Sequence, residues 1–502
     1  MKTKWNKARK KTRYIMAANG ILLLVFLALL GAMYLTRDSR LDGLGQREET
    51  ARQGQGTAQG AGENGQGTKE FSQTQGQQPD SSDGEPIGGS ISPQSQEAGN
   101  FEESPGSQMP KGEESLPGVQ VDKGQDSPEP EPPAAAQGDL GASQGELSGE
   151  VILEGQVQEK IASMSLEEKV AQLFIITPEA LTGSPAATQA GDATREAFGR
   201  YPVGGLIFFG ENIQSEQQVS EMLEKQQAYS RERIGLPLFL SIDEEGGQVT
   251  RVASAPGIEV ETFPDISEIG ASQDVGQAYR LGEAVGAYLS RMGFNLDFAP
   301  VADVLTNPDN TVVKRRSYGS DPQMVAEMVI GNLKGLKQRQ VYGCVKHFPG
   351  HGATLGDTHE GYSYTDKSWE ELKGADAVPF QESISWGVDF VMVGHISLPQ
   401  VTGNDVPASL SPSVVGGLLR EEMGYHGIVL TDALNMKAIS GQYTSAQAAV
   451  QAILAGNDMV LMPLDFKGAY QGVLDAVENG TITLERLEES LSRILKVKLG
   501  SL

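Results

Sequence analysis

Between Leu173 and Met462 the chain carries eight short apolar runs: Leu173 to Thr177, Gly205 to Phe209, Leu238 to Asp243, Leu296 to Asp303, Gly343 to His347, Phe390 to His395, Gly427 to Asp432 and Asp458 to Met462. Runs of this length without polar alternation have the character of strands buried on both faces. Helical periodicity fills most of the gaps, over Ser215 to Arg231, Gln273 to Arg291, Pro322 to Lys337, Ser368 to Ile384 and Ser445 to Ala455, and a last helix is expected over Leu484 to Val497. Strand and helix alternating eight times predict an α/β fold, a single (β/α)8 TIM-type barrel spanning residues 151–502. In such a barrel polar groups at strand C-termini face the active site, whereas those at the opposite rim serve stability.

Five consecutive runs end in ionisable residues: Asp243 to Glu245 at the third, Asp303 at the fourth, Lys346 and His347 at the fifth, His395 at the sixth and Asp432 at the seventh. Any one of them could be a helix cap or a solvated charge; together they predict a catalytic mouth. His426 precedes a strand, so it is placed on the other rim and given no function. The fifth run leads into Val345-Lys346-His347-Phe348-Pro349-Gly350-His351-Gly352 and on to Asp357-Thr358-His359, which puts three of the five histidines within thirteen residues. Gly350, Gly352 and Gly356 permit a tight path on which Asp357 and His359 can face each other. A carboxylate accepting from one imidazole nitrogen fixes the tautomer and leaves the other free to move protons near neutral pH. The same residue types also admit a metal cluster as a second reading. The spacing lacks the i, i+4 histidine pair of a helical zinc motif, and no metal or cofactor is assigned. A retaining glycosidase needs a nucleophile and an acid/base, for which Asp432 on a strand end and His359 on its loop are the candidates.

Ile242-Asp243-Glu244-Glu245-Gly246-Gly247-Gln248-Val249-Thr250-Arg251, Arg316-Ser317-Tyr318-Gly319, Lys346-His347-Phe348-Pro349-Gly350-His351-Gly352, Asp357-Thr358-His359 and Thr431-Asp432-Ala433-Leu434-Asn435-Met436 follow one another in the chain. In this order the segments resemble glycoside hydrolase family 3, and within it the bacterial β-N-acetylglucosaminidases (β-N-acetylhexosaminidases). The resemblance implies exo-acting removal of non-reducing terminal β-linked N-acetylglucosamine. It further implies that Asp432 forms a covalent glycosyl-enzyme, that His359 paired with Asp357 protonates the leaving oxygen and then activates water, and that Asp243, Arg251, Arg316, Lys346 and His347 bind the sugar's hydroxyls. Those side chains suit sugar binding, since a carboxylate accepts from two hydroxyls, guanidinium forks donate in pairs, and Lys and His add single donors. Arg315 is read as a partner in a surface ion pair, His351 as support for the loop, and His395 as a pocket residue without a catalytic role. The dyad reads Asp-Thr-His where Asp-Ser-His is common, and the site is expected to be complete without a domain after the barrel. Competing readings are a catalytically silent sugar-binding barrel, a metal-dependent barrel hydrolase, and another β-glycosidase or phosphorylase specificity. A neutral imidazole does not repel an anionic acceptor, so phosphate could replace water.

The N-terminal third is of another kind. Seven Lys or Arg lie within Met1 to Arg13, and the uncharged, mostly apolar run Ile15 to Leu35 that follows is long enough to span a bilayer. Residues 1–14 are thus expected to be a basic cytoplasmic segment and 15–35 an uncleaved transmembrane anchor, with the catalytic domain outside the cell membrane. From Asp38 to Glu150 the sequence holds 21 Asp or Glu against 6 Lys or Arg, with Phe71 and Phe101 its only aromatics. Residues 36–150 are therefore predicted to be a disordered Gly/Gln/Ser/Pro linker, too poor in apolar side chains to offset chain entropy. A net charge of -26 argues against nucleic acid as a partner. The expected partners are an amino-sugar glycan and, through the N-terminal helix, the membrane, and the chain is expected to be a monomer. A single cysteine, Cys344, excludes an internal disulfide.

Overall fold

The computed structural model describes residues 140–502 apart from 355, 357–360 and 362. The anchor expected at 15–35, the linker up to residue 139, and Asp357 and His359 lie outside the described residues. Among the described residues no helix is long and apolar enough to cross a membrane.

The described residues hold ten strands: β1 (Phe174–Ile176), β2 (Gly205–Phe208), β3 (Phe239–Ile242), β4 (Leu296–Asp297), β5 (Tyr342–Phe348), β6 (Ser363–Tyr364), β7 (Phe390–Val393), β8 (Ile396–Ser397), β9 (Ile428–Thr431) and β10 (Val460–Leu461). Eight of them form one sheet in the order β10-β1-β2-β3-β4-β5-β7-β9, with every pairing parallel. A parallel bridge between Leu430 and Met459, with Thr431 N–H donating to Met459 O at 3.2 Å, joins the last strand to the first. The result is the predicted eight-stranded barrel. Except for Tyr342 every residue of these eight strands is buried, which accounts for runs that read as continuously apolar instead of alternating. β6 and β8 pair separately, beyond the ends of β5 and β7.

Local chemistry sets the helix ends. Ser215 accepts from Gln218 N–H to start Glu216–Ile234, and Gly235 at φ 70° stops it. Asp321 caps Pro322–Gln338, whose first residue is a proline with no N–H to lose. This helix lies against Val275–Met292 at backbone contact: a Cβ on Gly282 would stand 2.1 Å from Asn332 O, and one on Gly335 2.3 Å from Tyr279 O. Only glycine fits at either place.

Two elements differ from the sequence reading. The fourth run is a regular strand only at Leu296–Asp297; beyond it, past the cis Ala299–Pro300 peptide, the chain continues beside β5 through a single parallel bridge, Val301 to Lys346, where Ala302 N–H donates to Lys346 O. The helical stretch Ser368 to Ile384 is two helices, Trp369–Lys373 and Val378–Trp386, because Gly374 ends the first and Pro379 can sit only in the first turn of the second. At the other end of the domain, the helix Leu140–Ser163 runs across the boundary placed at residue 151. Its Val157 and Ile161 are buried, and Glu154 pairs with Lys496 at 2.7 Å.

The floor of the barrel is closed by the C-terminal helix Leu484–Ser501. Lys498, buried, donates from Nζ to Gln172 Oε1 at 2.8 Å and to Gly204 O at 2.7 Å, and stands 4.9 Å from the centre of the Phe239 ring. These groups mark the N-terminal ends of β1, β2 and β3. Above them, in mid-strand, the thiol of Cys344 is shut away from solvent.

Candidate active site

At the opposite, C-terminal end of the strands a cavity of about 550 Å³ opens, a size typical of small-molecule sites. Asp243, Arg251, Arg316, Lys346, His347 and Asp432 all line it. Asp243 follows β3 directly and Asp432 follows β9, so rigid strand ends aim both carboxylates. Lys346 and His347 are neighbours on β5, joined by a cis peptide where the pairing with β7 shifts register. Both side chains reach the cavity.

Lys346 is the hub of the charged wall. Its Nζ donates to Asp243 Oδ1 at 2.8 Å and lies 2.7 Å from Glu245 Oε1. Glu245 also receives the guanidinium fork of Arg316, from Nε at 2.8 Å and from Nη2 at 2.6 Å. Burial alone would raise the Glu245 pKa, but the charges of Arg316 and Lys346 outweigh it and hold the carboxyl well below its usual range. The same pairings overcome burial at the two cations: Asp243 and Glu245 lift Lys346, and Glu245 lifts Arg316, above their ordinary values. Asp243 keeps its Oδ2 toward Arg251, whose Nη2 is 3.9 Å away and whose guanidinium lies 5.4 Å from the Phe209 ring centre.

Asp303 does not line the cavity as the strand-end pattern implied, since β4 ends six residues earlier; it lies behind His347. Its Oδ2 is 2.8 Å from His347 Nδ1, and its Oδ1 accepts the backbone N–H of His347 at 3.1 Å and of His351 at 2.6 Å. Burial opposes ionisation of Asp303, but His347 and the His351 N–H prevail and lower its pKa. An ionised carboxylate only accepts, so His347 carries its proton on Nδ1 and has Nε2 for the cavity. His351, buried, meets Thr354 Oγ1 at 2.8 Å through Nδ1, and Asn310 Nδ2 donates to His351 O at 2.8 Å. These bonds tie the segment after β5 to the segment after β4.

Asp432 receives a hydrogen bond at Oδ1 from Ala433 N–H at 2.7 Å, while its own N–H donates to Val393 O at 2.9 Å. Burial pushes its pKa up, but His395, His347, the Ala433 N–H and Lys346 push harder the other way, to about 2. The carboxylate is thus ionised at neutral pH. His395 is buried and does not line the cavity: its Nδ1 meets Ser409 Oγ at 2.8 Å and its Nε2 meets Ala433 O at 3.0 Å, beside Asp432. Arg315 pairs with Asp265 at the surface, and His426 lies at the N-terminal rim beside Asp389 and Glu489.

Sequence reasoning left Glu244, Glu245 and Asp297 without roles. The Glu244 carboxylate, buried, accepts the N–H groups of Arg251 at 2.5 Å, Val252 at 2.9 Å and Ala253 at 2.9 Å, together with the Tyr288 hydroxyl at 2.9 Å. It therefore folds the loop that carries Arg251. Asp297 Oδ1 accepts Glu244 N–H at 3.0 Å, and its Oδ2 is buried without a partner. Burial, with Glu244 close by, raises the Asp297 pKa well above the ordinary value. The acidic triplet Asp243-Glu244-Glu245 was the one sequence signal that could have led to two of these residues. Among the described residues no group of three or more His, Cys, Asp or Glu is placed to hold a metal ion.

A parallel barrel whose strand ends bring an ionised carboxylate to face a wall of lysine, arginine and histidine donors has the composition of a glycoside-processing site. Residues 165–497 match the Glycosyl hydrolase family 3 N terminal domain, and the chain belongs to that family. Beta-hexosaminidase A of Pseudoalteromonas piscicida is 33% identical over 327 residues, which are 60% of this chain and 54% of that enzyme. Beta-hexosaminidase LpqI of Mycobacterium tuberculosis is 36% identical over 273 residues, 52% of this chain and 68% of its own. Among solved structures, a glycoside hydrolase family 3 beta-N-acetylglucosaminidase from Paenibacillus superposes with a TM-score of 0.63 at 37% identity, covering 67% of this chain and 62% of that one. The chain thus spans about half the length of the Pseudoalteromonas enzyme and under two thirds of the Paenibacillus one.

Proposed function

We propose that this chain is a retaining, exo-acting β-N-acetylhexosaminidase that releases non-reducing terminal β-linked N-acetylglucosamine. The observation that carries the reading is Asp432, a strand-end carboxylate held ionised in a cavity whose opposite wall is Asp243, Lys346, His347 and the Arg316–Glu245 pair. In this reading Asp432 attacks the anomeric carbon, and the bond to the leaving oxygen breaks as that oxygen takes a proton from His359. Water, deprotonated by His359, then attacks the same carbon and frees Asp432. Asp357 orients His359, and Asp243, Arg251, Arg316, Lys346 and His347 hold the hydroxyls remote from the reacting carbon. The names of the Pseudoalteromonas, Mycobacterium and Paenibacillus relatives support the choice of N-acetylhexosamine.

Release of nitrophenol from 4-nitrophenyl N-acetyl-β-D-glucosaminide, followed with a chelator present, tests this. Wild type should turn over, and Asp432→Ala should lose at least about 10³-fold in kcat. A folded wild type without turnover on this substrate would defeat the reading, as would an Asp432→Ala variant of full activity. We further place the catalytic domain outside the cell membrane, on an anchor at 15–35 and a linker of roughly 50 to 60 Å root-mean-square span, acting on cell-wall fragments or related amino-sugar glycans. Protease added to intact cells should release the active domain; retention of all activity within protected cytosol would refute that placement.

A further inference from the structure

The cavity wall is divided. One arc, from the ends of β3 and β5 and the loop between Asp303 and Ser317, is charged: Asp243, Glu245, Arg316, Lys346 and His347. The other arc belongs to β7, β9, β10 and β2, around the rest of the mouth, and there the lining is mostly apolar, with Met392, Met436, Leu461, Met462 and Ile207, and Asn435 as its polar member. Asp432, which follows β9, stands within this apolar arc, between Met392 on β7 and the Leu461-Met462 pair at the end of β10. A sugar whose remote hydroxyls are held by the charged arc, and whose anomeric carbon meets Asp432, turns its C1–C2 edge to the apolar side.

Met462 is the unusual member of that arc. Its φ is 45°, in the left-handed region that side chains larger than glycine rarely adopt. Its N–H donates to Ile175 O at 2.9 Å, and its half-buried side chain packs against the core while lining the cavity. The other non-glycine residues at positive φ among those described, Ala186, Gln273 and Gln340, do not line this cavity. A strained backbone conformation at the edge of a site is a reason to look for what the side chain does there. We propose that Met462 determines specificity: together with Met392 it forms an apolar seat for the methyl of a 2-acetamido group, and it disfavours a 2-hydroxyl that would leave the seat to water. This rests on the hexosaminidase reading above and adds which residue makes the distinction.

The test compares kcat/KM of the full chain on three 4-nitrophenyl β-D-glucosides, carrying a 2-acetamido, a 2-propionamido or a 2-hydroxyl group. Met462→Gly suits φ 45° and removes the seat; Met462→Asn tolerates the same backbone and places a polar group in it. In both variants the 2-acetamido substrate should lose about ten-fold or more, while the 2-hydroxyl substrate, no longer set against an apolar seat, should hold its rate or gain. In Met462→Gly the propionamide should also gain relative to the acetamide. Equal losses on the acetamido and hydroxyl substrates, or no loss on the acetamide, would overturn the assignment. A wild type that prefers the 2-hydroxyl substrate would instead defeat the hexosaminidase reading itself, before any variant is made.

Discussion

Glu245 and Asp297 are both sealed from water, yet their surroundings drive their acidities apart. Glu245 has two cations against it; Asp297 has a neighbouring carboxylate and one unpartnered oxygen. Glu245→Gln would leave Lys346 and Arg316 buried without their shared counter-charge, at a cost of about 3 kcal/mol in chemical unfolding. Because the Glu245 pKa is depressed, its contribution is present above the unfolded carboxyl pKa of about 4.3 and fades as pH falls below it. The gap between wild type and variant should therefore narrow below about pH 4. Asp297 has the opposite sign. Its raised pKa means that the buried carboxyl costs stability above the unfolded pKa of about 3.9, a cost absent below it. Asp297→Asn, which keeps the acceptor for Glu244 N–H, should melt higher than wild type at pH 7 and alike near about pH 3.5. Asp243, Lys346, His347 and Asp432 could be singled out in the sequence because they end apolar runs. Glu245 ends the same run as Asp243, but its role could not be read there, because it lies in Arg316, seventy-one residues away.

The segment after β5 is anchored to the segment after β4 by side chains belonging to neither strand. Asn310 donates to His351 O and to Thr354, and its Oδ1 accepts Val312 N–H and Val313 N–H. Asn310→Ala would strip buried donors and acceptors from both segments at once, so a loss of about 2 to 3 kcal/mol in thermal unfolding is expected. A fall in kcat larger than the rise in KM should accompany it if the segment sets the reacting groups. Periodicity located the strand β5 and the long helices closely, since burial of whole faces writes itself into every residue. It merged the two helices between Ser368 and Ile384 because one glycine and one proline, Gly374 and Pro379, count for little in a window of hydrophobicity. It also overran β4, beyond which Phe298 to Ala302 stay buried and bonded to β5, with a lone bridge from Val301 to Lys346 in place of a continuous strand.

On the scale of the barrel, chemistry and closure occupy opposite ends. The mouth gathers charge from β3, β5 and β9, while the floor is held by Lys498, a single cation satisfied by two oxygens and a ring face. Lys498→Ala would leave Gln172 Oε1 without its Lys498 donor, take from Gly204 O one of its two donors, the Phe239 N–H remaining, and open a void beside Phe239, for about 3 kcal/mol measured in urea. Its effect on kcat should be small, since neither Lys498 nor its partners line the cavity. The alternation of eight strands with helices made the barrel legible in the sequence, but which helix plugs the floor depends on a contact across 326 residues. Between mouth and floor sits Cys344, whose thiol burial keeps it protonated well beyond the ordinary range. As the chain's sole cysteine, it gives the protein a built-in clock: a thiol reagent can mark it only in molecules whose barrel has come apart. Labelling followed over hours would count those openings one molecule at a time, with no dye, tag or substitution added beforehand.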